Sequence, residues 1–272
     1  MQLNNMSRKK VGIAFGSGGI RGVSHIGVLQ ALKENNIPID MVAGSSVGAW
    51  VAAHYALFQD LPELKNKTIG HSKDKLMAML EPAMGGGLIA GKKLHKLLQQ
   101  WFNNKSFKDV KIPLAVVTTD LLTGKEVVFD RGDLITAVRA SMAVPTVFKP
   151  VEFKKYLLAD GGMVDPVPDN LVRKMGADVV IAVNLDNFEL AISKKSNYSG
   201  ITTVSTRSLQ ILRHHLASYS IKTADVVIEP LAEEVGLIGL KSLFNDKQKQ
   251  IMFEEGYNKT IMMMDKIKLL IN

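Results

Sequence analysis

Short apolar runs alternate with longer helical patterns along the whole chain. Val11–Phe15, 41–43, 114–118, 127–129, 156–159, Val179–Val183 and Val226–Ile228 are apolar or β-branched. Runs this short, bounded by polar or turn residues, predict buried strands. Between them, residues 23–32, 47–57, 92–102, 134–142 and 207–222 predict helices. Thr123-Gly124 predicts a turn between two of the strands. Residues 246–271 read as one helix, with Ile251, Met252, Ile261, Met262, Met263, Ile267 and Leu270 available to pack. Residues 188–200 have mixed polarity and no period, which predicts a mobile loop. No internal repeat interrupts this order. Strands alternating with helices predict an α/β fold: one domain with a mostly parallel central sheet covered by helices.

Two of these boundaries carry chemistry. After the strand 41–43 comes Gly44-Ser45-Ser46-Val47-Gly48, which reads G-x-S-x-G, and a helix follows at once. A sharp strand-to-helix turn forces its central residue, Ser46, into a strained conformation and needs small residues two places either side. Gly44 and Gly48 fill those places. Such a turn sets the Ser46 hydroxyl at a helix N-terminus, where the dipole favours a developing anion.

After the strand Val11–Phe15 comes Gly16-Ser17-Gly18-Gly19-Ile20-Arg21-Gly22. Glycines in that position let backbone N–H groups face an open space. A dinucleotide fingerprint would need glycine where Arg21 stands. A phosphate loop would need a lysine after Gly22. An oxyanion hole remains, as does a tight turn with no ligand. Residues 86–93, G-G-L-I-A-G-K-K, imitate a phosphate loop but lack its preceding strand and its Ser or Thr, so they predict a glycine turn before a helix. Asp160-Gly161-Gly162 follows a strand-like run; taken alone it reads as a turn, although an acid at a strand end followed by glycines can also approach another loop closely.

Together these pieces resemble the patatin-like phospholipases. That family carries a glycine-rich loop with an arginine, a G-x-S-x-G elbow and an Asp-Gly-Gly or Asp-Gly-Ala, in that order. Residues 21–29 resemble its first helix. Ala140-Ser141-Met142-Ala143-Val144-Pro145, with Phe148 and Pro150, resembles its fourth block. The resemblance runs from about Lys10 to about Tyr257 and is to the compact bacterial branch. It implies a hydrolase domain over residues 10–272 behind a polar extension, residues 1–9. It also implies a serine esterase or lipid acyl hydrolase working through a Ser-Asp dyad and an acyl-enzyme. Ser46 would be the nucleophile and Asp160 its base, with Gly18 and Gly19 supplying oxyanion N–H groups and Arg21 shaping that loop. Arg21 would also lower the pKa of Asp160, against burial. The implied substrates are phospholipid or lysophospholipid esters.

Two rivals stay open. A Ser-His-acid triad would use Ser46, Asp160 or Asp186, and His214 or His215, although the basic face of residues 207–222 predicts a solvated setting for those histidines. His25 and His54 lie on helices adjoining the site, while His71 and His95 lie elsewhere. The other rival is a silent binding or regulatory protein on the same scaffold, since fold does not fix function.

Composition narrows the setting. The chain has 272 residues, 46% hydrophobic, enough for a full core. Its net charge of +8 is spread without basic blocks or a nucleic-acid-binding signature, which fits an anionic lipid surface at least as well as nucleic acid. No cysteine is present, so disulfides and thiolate metal sites are excluded. No H-x-x-x-H pair or calcium loop occurs, and the implied chemistry asks for no metal or cofactor. The apolar run after the polar N-terminus is too short for a signal-peptide core. The expected location is cytoplasmic, with peripheral contact at a membrane.

Overall fold

The apolar runs become strands whose register brings the two chemistry-bearing turns together. The computed structural model describes residues 8–69, 91–145, 147–187, 200–231 and 245–272. The predicted loop 188–200 and the glycine turn 86–93 fall largely outside them, as does His71.

The strands are β1 (Val11–Phe15), β2 (Met41–Ser45), β3 (Leu114–Asp120), β4 (Glu126–Phe129), β5 (Val151–Phe153), β6 (Tyr156–Asp160), β7 (Val179–Val183) and β8 (Val226–Ile228). The helices are α1 (Val23–Glu34), α2 (Val47–Phe58), α3 (Leu61–Thr68), α4 (Lys92–Trp101), α5 (Leu134–Ser141), α6 (Asp169–Lys174), α7 (Ile201–Ser220), α8 (Asp246–Met262) and α9 (Met264–Ile271). The strands all belong to one sheet, ordered β5-β6-β3-β2-β1-β7-β8, with β4 also paired to β3. The run β3-β2-β1-β7-β8 is parallel, and β4, β5 and β6 extend it antiparallel. This is the expected α/β architecture with a mostly parallel sheet.

Central strands are buried throughout because helices cover both faces. Alternation along each strand divides the covering unequally. Ile13, Phe15, Val42, Val116 and Ile181 meet the large core formed with α1, α2 and α5. Ala14, Ala43, Ala115 and Ala182 face the other way, against Val167, Val172 and Ala217. Small side chains there let α6 and α7 lie close to the sheet.

The C-terminal stretch differs from the single helix expected. It breaks at Met263, whose N–H turns back to the carbonyls of Ile261 and Thr260, and α9 restarts at Met264. The break gives each part its own buried set: Met252 and Phe253 in α8, Met264 and Ile267 in α9, while Met262 stays exposed.

The strand β3 decides the geometry of the site. Val116 and Val117 pair with β4 on one edge and so with β2 on the other. Thr118 and Thr119 still pair with β4 and also with β6. A strand has only two edges, so β2 and β6 share one edge of β3, meeting end to end. The C-terminus of β2 delivers Ser46, and the C-terminus of β6 delivers Asp160.

Candidate active site

Ser46 sits between β2 and α2 with φ 55° and ψ −124°, a conformation that L-residues rarely adopt. The two glycines of G-x-S-x-G make that turn affordable. A Cβ on Gly44 would lie 2.4 Å from the carbonyl of Gly48, and one on Gly48 would lie 2.1 Å from the carbonyl of Phe15. The Ser46 N–H donates to Ser141 Oγ at 2.8 Å. Its hydroxyl donates to Asp160 Oδ2 at 2.5 Å. Both residues are 6% exposed.

Asp160 is held on every side. Its N–H donates to the Ala143 carbonyl at 3.1 Å, and its own carbonyl accepts from Thr119 Oγ1 at 2.8 Å. Its second carboxylate oxygen, Oδ1, accepts from the Gly162 N–H at 2.8 Å. A Cβ on Gly161 would strike the Val117 carbonyl at 2.3 Å, which is why a glycine must follow the acid. One short segment, Ser141 to Ala143 at the end of α5, thus fixes the backbone of both Ser46 and Asp160. Burial raises the Asp160 carboxyl above the usual carboxylate range, against the hydrogen bond from Ser46 and the charge of Arg213. A carboxylate destabilised in this way accepts a proton more readily, and the nearest proton is on Ser46.

The glycine loop wraps the same point. Gly19 takes φ 59°. The N–H groups of Gly18 and Gly19 meet no acceptor among the described residues, whereas those of Gly16 and Ser17 are taken by Val183 and Pro166. Arg21 does not reach Asp160. Its Nε returns to the Gly18 carbonyl at 3.1 Å, and its guanidinium pairs with Asp186 at 2.8 Å. Arg21 thus ties the loop to Asp186, and the cation whose charge lowers the Asp160 pKa is Arg213. Arg213 reaches both Asp186 oxygens, at 3.0 and 2.9 Å, and Ser17 Oγ at 3.1 Å.

A family model described as patatin-like phospholipase matches residues 13–170. The chain belongs to the patatin-like phospholipase family. The matched span contains the glycine loop, Ser46 and Asp160, while Asp186, Arg213 and α7 lie beyond it. An uncharacterized NTE family protein of Mycobacterium tuberculosis is 37% identical over 190 residues, covering 70% of this chain and 52% of that protein. The human patatin-like phospholipase domain-containing protein 6 is 33% identical over 182 residues, covering 64% of this chain and 13% of that protein. The chain thus spans about half, or less, of the curated relatives it matches. Among solved structures, VipD of Legionella pneumophila superposes with a TM-score of 0.58 at 16% identity, over 95% of this chain and 67% of VipD, which bears on the fold alone.

Within this patatin-like frame, Ser46 and Asp160 open onto a cleft of about 250 Å³. Val144, Pro145, Met163, Leu209, Leu212 and Leu216 make its walls apolar, and Gly19 and Arg213 also border it. No histidine lines it among the described residues. His25 is buried with Nε2 at 2.8 Å from the Gly16 carbonyl, and burial lowers it to about 4. His54 is likewise lowered to about 4 by burial, packed against Phe58. His214 Nδ1 contacts the Asp186 carbonyl, not its carboxylate, and His215 is exposed. The Ser46 hydroxyl is engaged directly by Asp160, so the triad arrangement is not the one this geometry builds.

Two contributors carry little signal in the sequence. Ser141 lies in the stretch that resembles the family's fourth block, yet nothing there marks its hydroxyl as the acceptor for the Ser46 N–H. Asp186 follows the end of β7 as Asp160 ends β6, and only the structure distinguishes their partners.

Proposed function

We propose that this chain is a carboxylic ester hydrolase acting on lipid acyl esters through a Ser46-Asp160 dyad. The carrying observation is the buried 2.5 Å hydrogen bond from the Ser46 hydroxyl to a carboxylate whose basicity is raised by burial. In this reading Ser46 Oγ attacks the ester carbonyl while its proton passes to Asp160 Oδ2. The carbonyl oxygen becomes an oxyanion beside the N–H groups of Gly18 and Gly19 and near the N-terminus of α2. Collapse expels the alcohol, which takes the proton from Asp160 and leaves the acyl group on Ser46. Water then attacks, Asp160 again receives the proton, and the fatty acid departs as Ser46 is restored.

Lipid esters are favoured because the cleft walls are aliphatic and the matching family model and the human relative carry phospholipase in their names. Phospholipids and lysophospholipids are the substrate class we assign. Residues 10–272 would form the hydrolase domain and residues 1–9 a polar extension. No metal or cofactor enters any step, and a cytoplasmic setting with peripheral contact at an anionic membrane completes the reading. The test is hydrolysis of a soluble short-chain ester, a lysophospholipid and a phospholipid, with and without chelator. Wild type should release acid from the short-chain ester in chelator, and folded Ser46→Ala should not. Folded wild type that cleaves none of the panel, or an equally active Ser46→Ala, would overturn the hydrolase and favour a binding role on the same scaffold.

A further inference from the structure

The helix α7 packs inside out. A surface helix normally turns its apolar stripe to the core and its charges to water. Here Arg207 is 6% exposed, and Gln210 and Ala217 are also buried. Arg213 reaches inward to Asp186, and His214 to the Asp186 carbonyl. The outward face instead carries Ile201 at 88% exposure, Leu212 at 65% and Tyr219 at 72%, with Val204 and Ile211 beside them. At about 100° per residue, Ile201, Leu212 and Tyr219 fall within about 20° of one line. Ser205, Ser208 and His215 are polar members of that face. The expected solvated basic face of residues 207–222 is therefore largely turned inward, because Asp186 draws Arg213 to the sheet.

We infer that the outward face of α7 docks the protein on an anionic phospholipid bilayer, with the mouth of the Ser46 cleft opening into that surface. Two observations select this occupant over a second copy of the chain. First, the face is continuous with the cleft: Leu209, Leu212 and Leu216 of α7 line it, and half-exposed Met163 stands on its rim. A protein partner seated there would close the mouth, whereas a bilayer supplies what enters it. Second, α7 holds no acidic residue, and Lys222 follows its outward face with Nζ 3.5 Å from the Tyr219 ring centroid. A second copy carries the same net charge of +8 and is repelled, whereas an anionic surface attracts the chain. Apolar side chains beside an aromatic ring and a lysine match the acyl and headgroup levels of a bilayer. Among the described residues, no helix is long and apolar enough to cross a membrane.

This inference deepens the acyl-hydrolase reading and rests on it only for what the surface delivers. The absence of native cysteine makes a single introduced one a unique label site. An environment-sensitive dye on Val204→Cys should shift to the blue when phosphatidylcholine vesicles containing phosphatidylglycerol are added, and much less with phosphatidylcholine alone. The same dye on Lys108→Cys, exposed on a distant turn, should not respond. The combined Ile201→Ser, Val204→Ser and Tyr219→Ser variant should partition onto the anionic vesicles at least about tenfold more weakly, since burying each such side chain is worth on the order of a factor of ten. Its hydrolysis of a soluble short-chain ester should be unchanged. Ser46→Ala should bind vesicles as wild type does, so loss of turnover and loss of docking are read separately. Docking is overturned if the dye at position 204 ignores vesicles, or if the triple variant partitions normally. It is equally overturned if the dye shifts with protein concentration alone as the sedimenting mass doubles, which would assign the face to a second copy.

Discussion

Asp160 and Asp186 occupy matching places and behave oppositely. One ends β6 and the other lies just past β7, and both are almost fully buried. Burial alone raises the proton affinity of each. At Asp160 that effect wins, because the opposing influences are a serine hydroxyl and the more distant charge of Arg213. At Asp186 it loses, because Arg213 and Arg21 both grip the carboxylate and Ser17 donates to it, which holds it below the usual range. The proton affinity of a buried acid is thus set by what faces it, not by its position on the sheet. Asp186 also braces the proposed base: Arg21 and Ser17 belong to the glycine loop, and Arg213 belongs to α7, so Asp186 ties both walls of the cleft together.

Exchanging the two acids for their amides should separate these roles. Asp160→Asn should lower kcat by about 10²–10⁴-fold, since an amide cannot take the serine proton. Its melting temperature should hold or rise above neutral pH, where the native carboxylate is ionised at a cost. Asp186→Asn should do the reverse, removing about 3–5 kcal/mol of stability by leaving Arg21 and Arg213 without their anion. Urea unfolding and kcat on the same samples check both. A stable, inactive Asp186→Asn would dissolve the distinction.

The pH dependence sharpens it further. The proposed base must be ionised, so the acid limb of kcat/KM should lie above the ordinary aspartate value of about 3.9. In Arg213→Gln the limb should move higher still, because a charge that favours ionised Asp160 is gone. For stability the signs differ. Asp186, depressed in the fold, contributes fully above the ordinary carboxylate range and is lost as pH falls through its folded value. Asp160, raised in the fold, contributes below its unfolded value and is lost as pH rises through its folded one.

The smallest effect concerns a third acid. Asp165 is raised from 3.8 to about 7 by burial and by the nearby charges of Glu126 and Asp169. Its contribution to stability is therefore present below 3.8 and lost between 3.8 and about 7. Asp165→Asn should raise the melting temperature at pH 8, at about 2–4 °C per kcal/mol recovered, and change little at pH 4. Calorimetry at both values checks this.

The parts legible in the sequence are those encoded within a few residues. The strand before Gly44, the glycines around Ser46 and the Asp-Gly-Gly after β6 each constrain their own backbone, so each leaves a local trace. The long-range pairings leave none. Arg21 meets Asp186 across 165 positions, and Arg213 meets Ser17 across 196. Nothing near Arg21 says that its charge is spent on Asp186 and not on Asp160. For the same reason residues 207–222 read as an ordinary basic helix, although Asp186 turns their cations inward. The break at Met263 was hidden because methionine and isoleucine continue a helical pattern whether or not the helix does.

The central claim is that Ser46 is the nucleophile and Asp160 its base. It is tested most directly by the rate and position of fluorophosphonate labelling, read by peptide mass spectrometry on folded protein. The account predicts one adduct on Ser46, none in Ser46→Ala, labelling slowed by orders of magnitude in Asp160→Asn, and an unchanged rate in His214→Ala and His215→Ala. An adduct on Ser45 or elsewhere, an undiminished rate in Asp160→Asn, or a collapse in either histidine variant would contradict it.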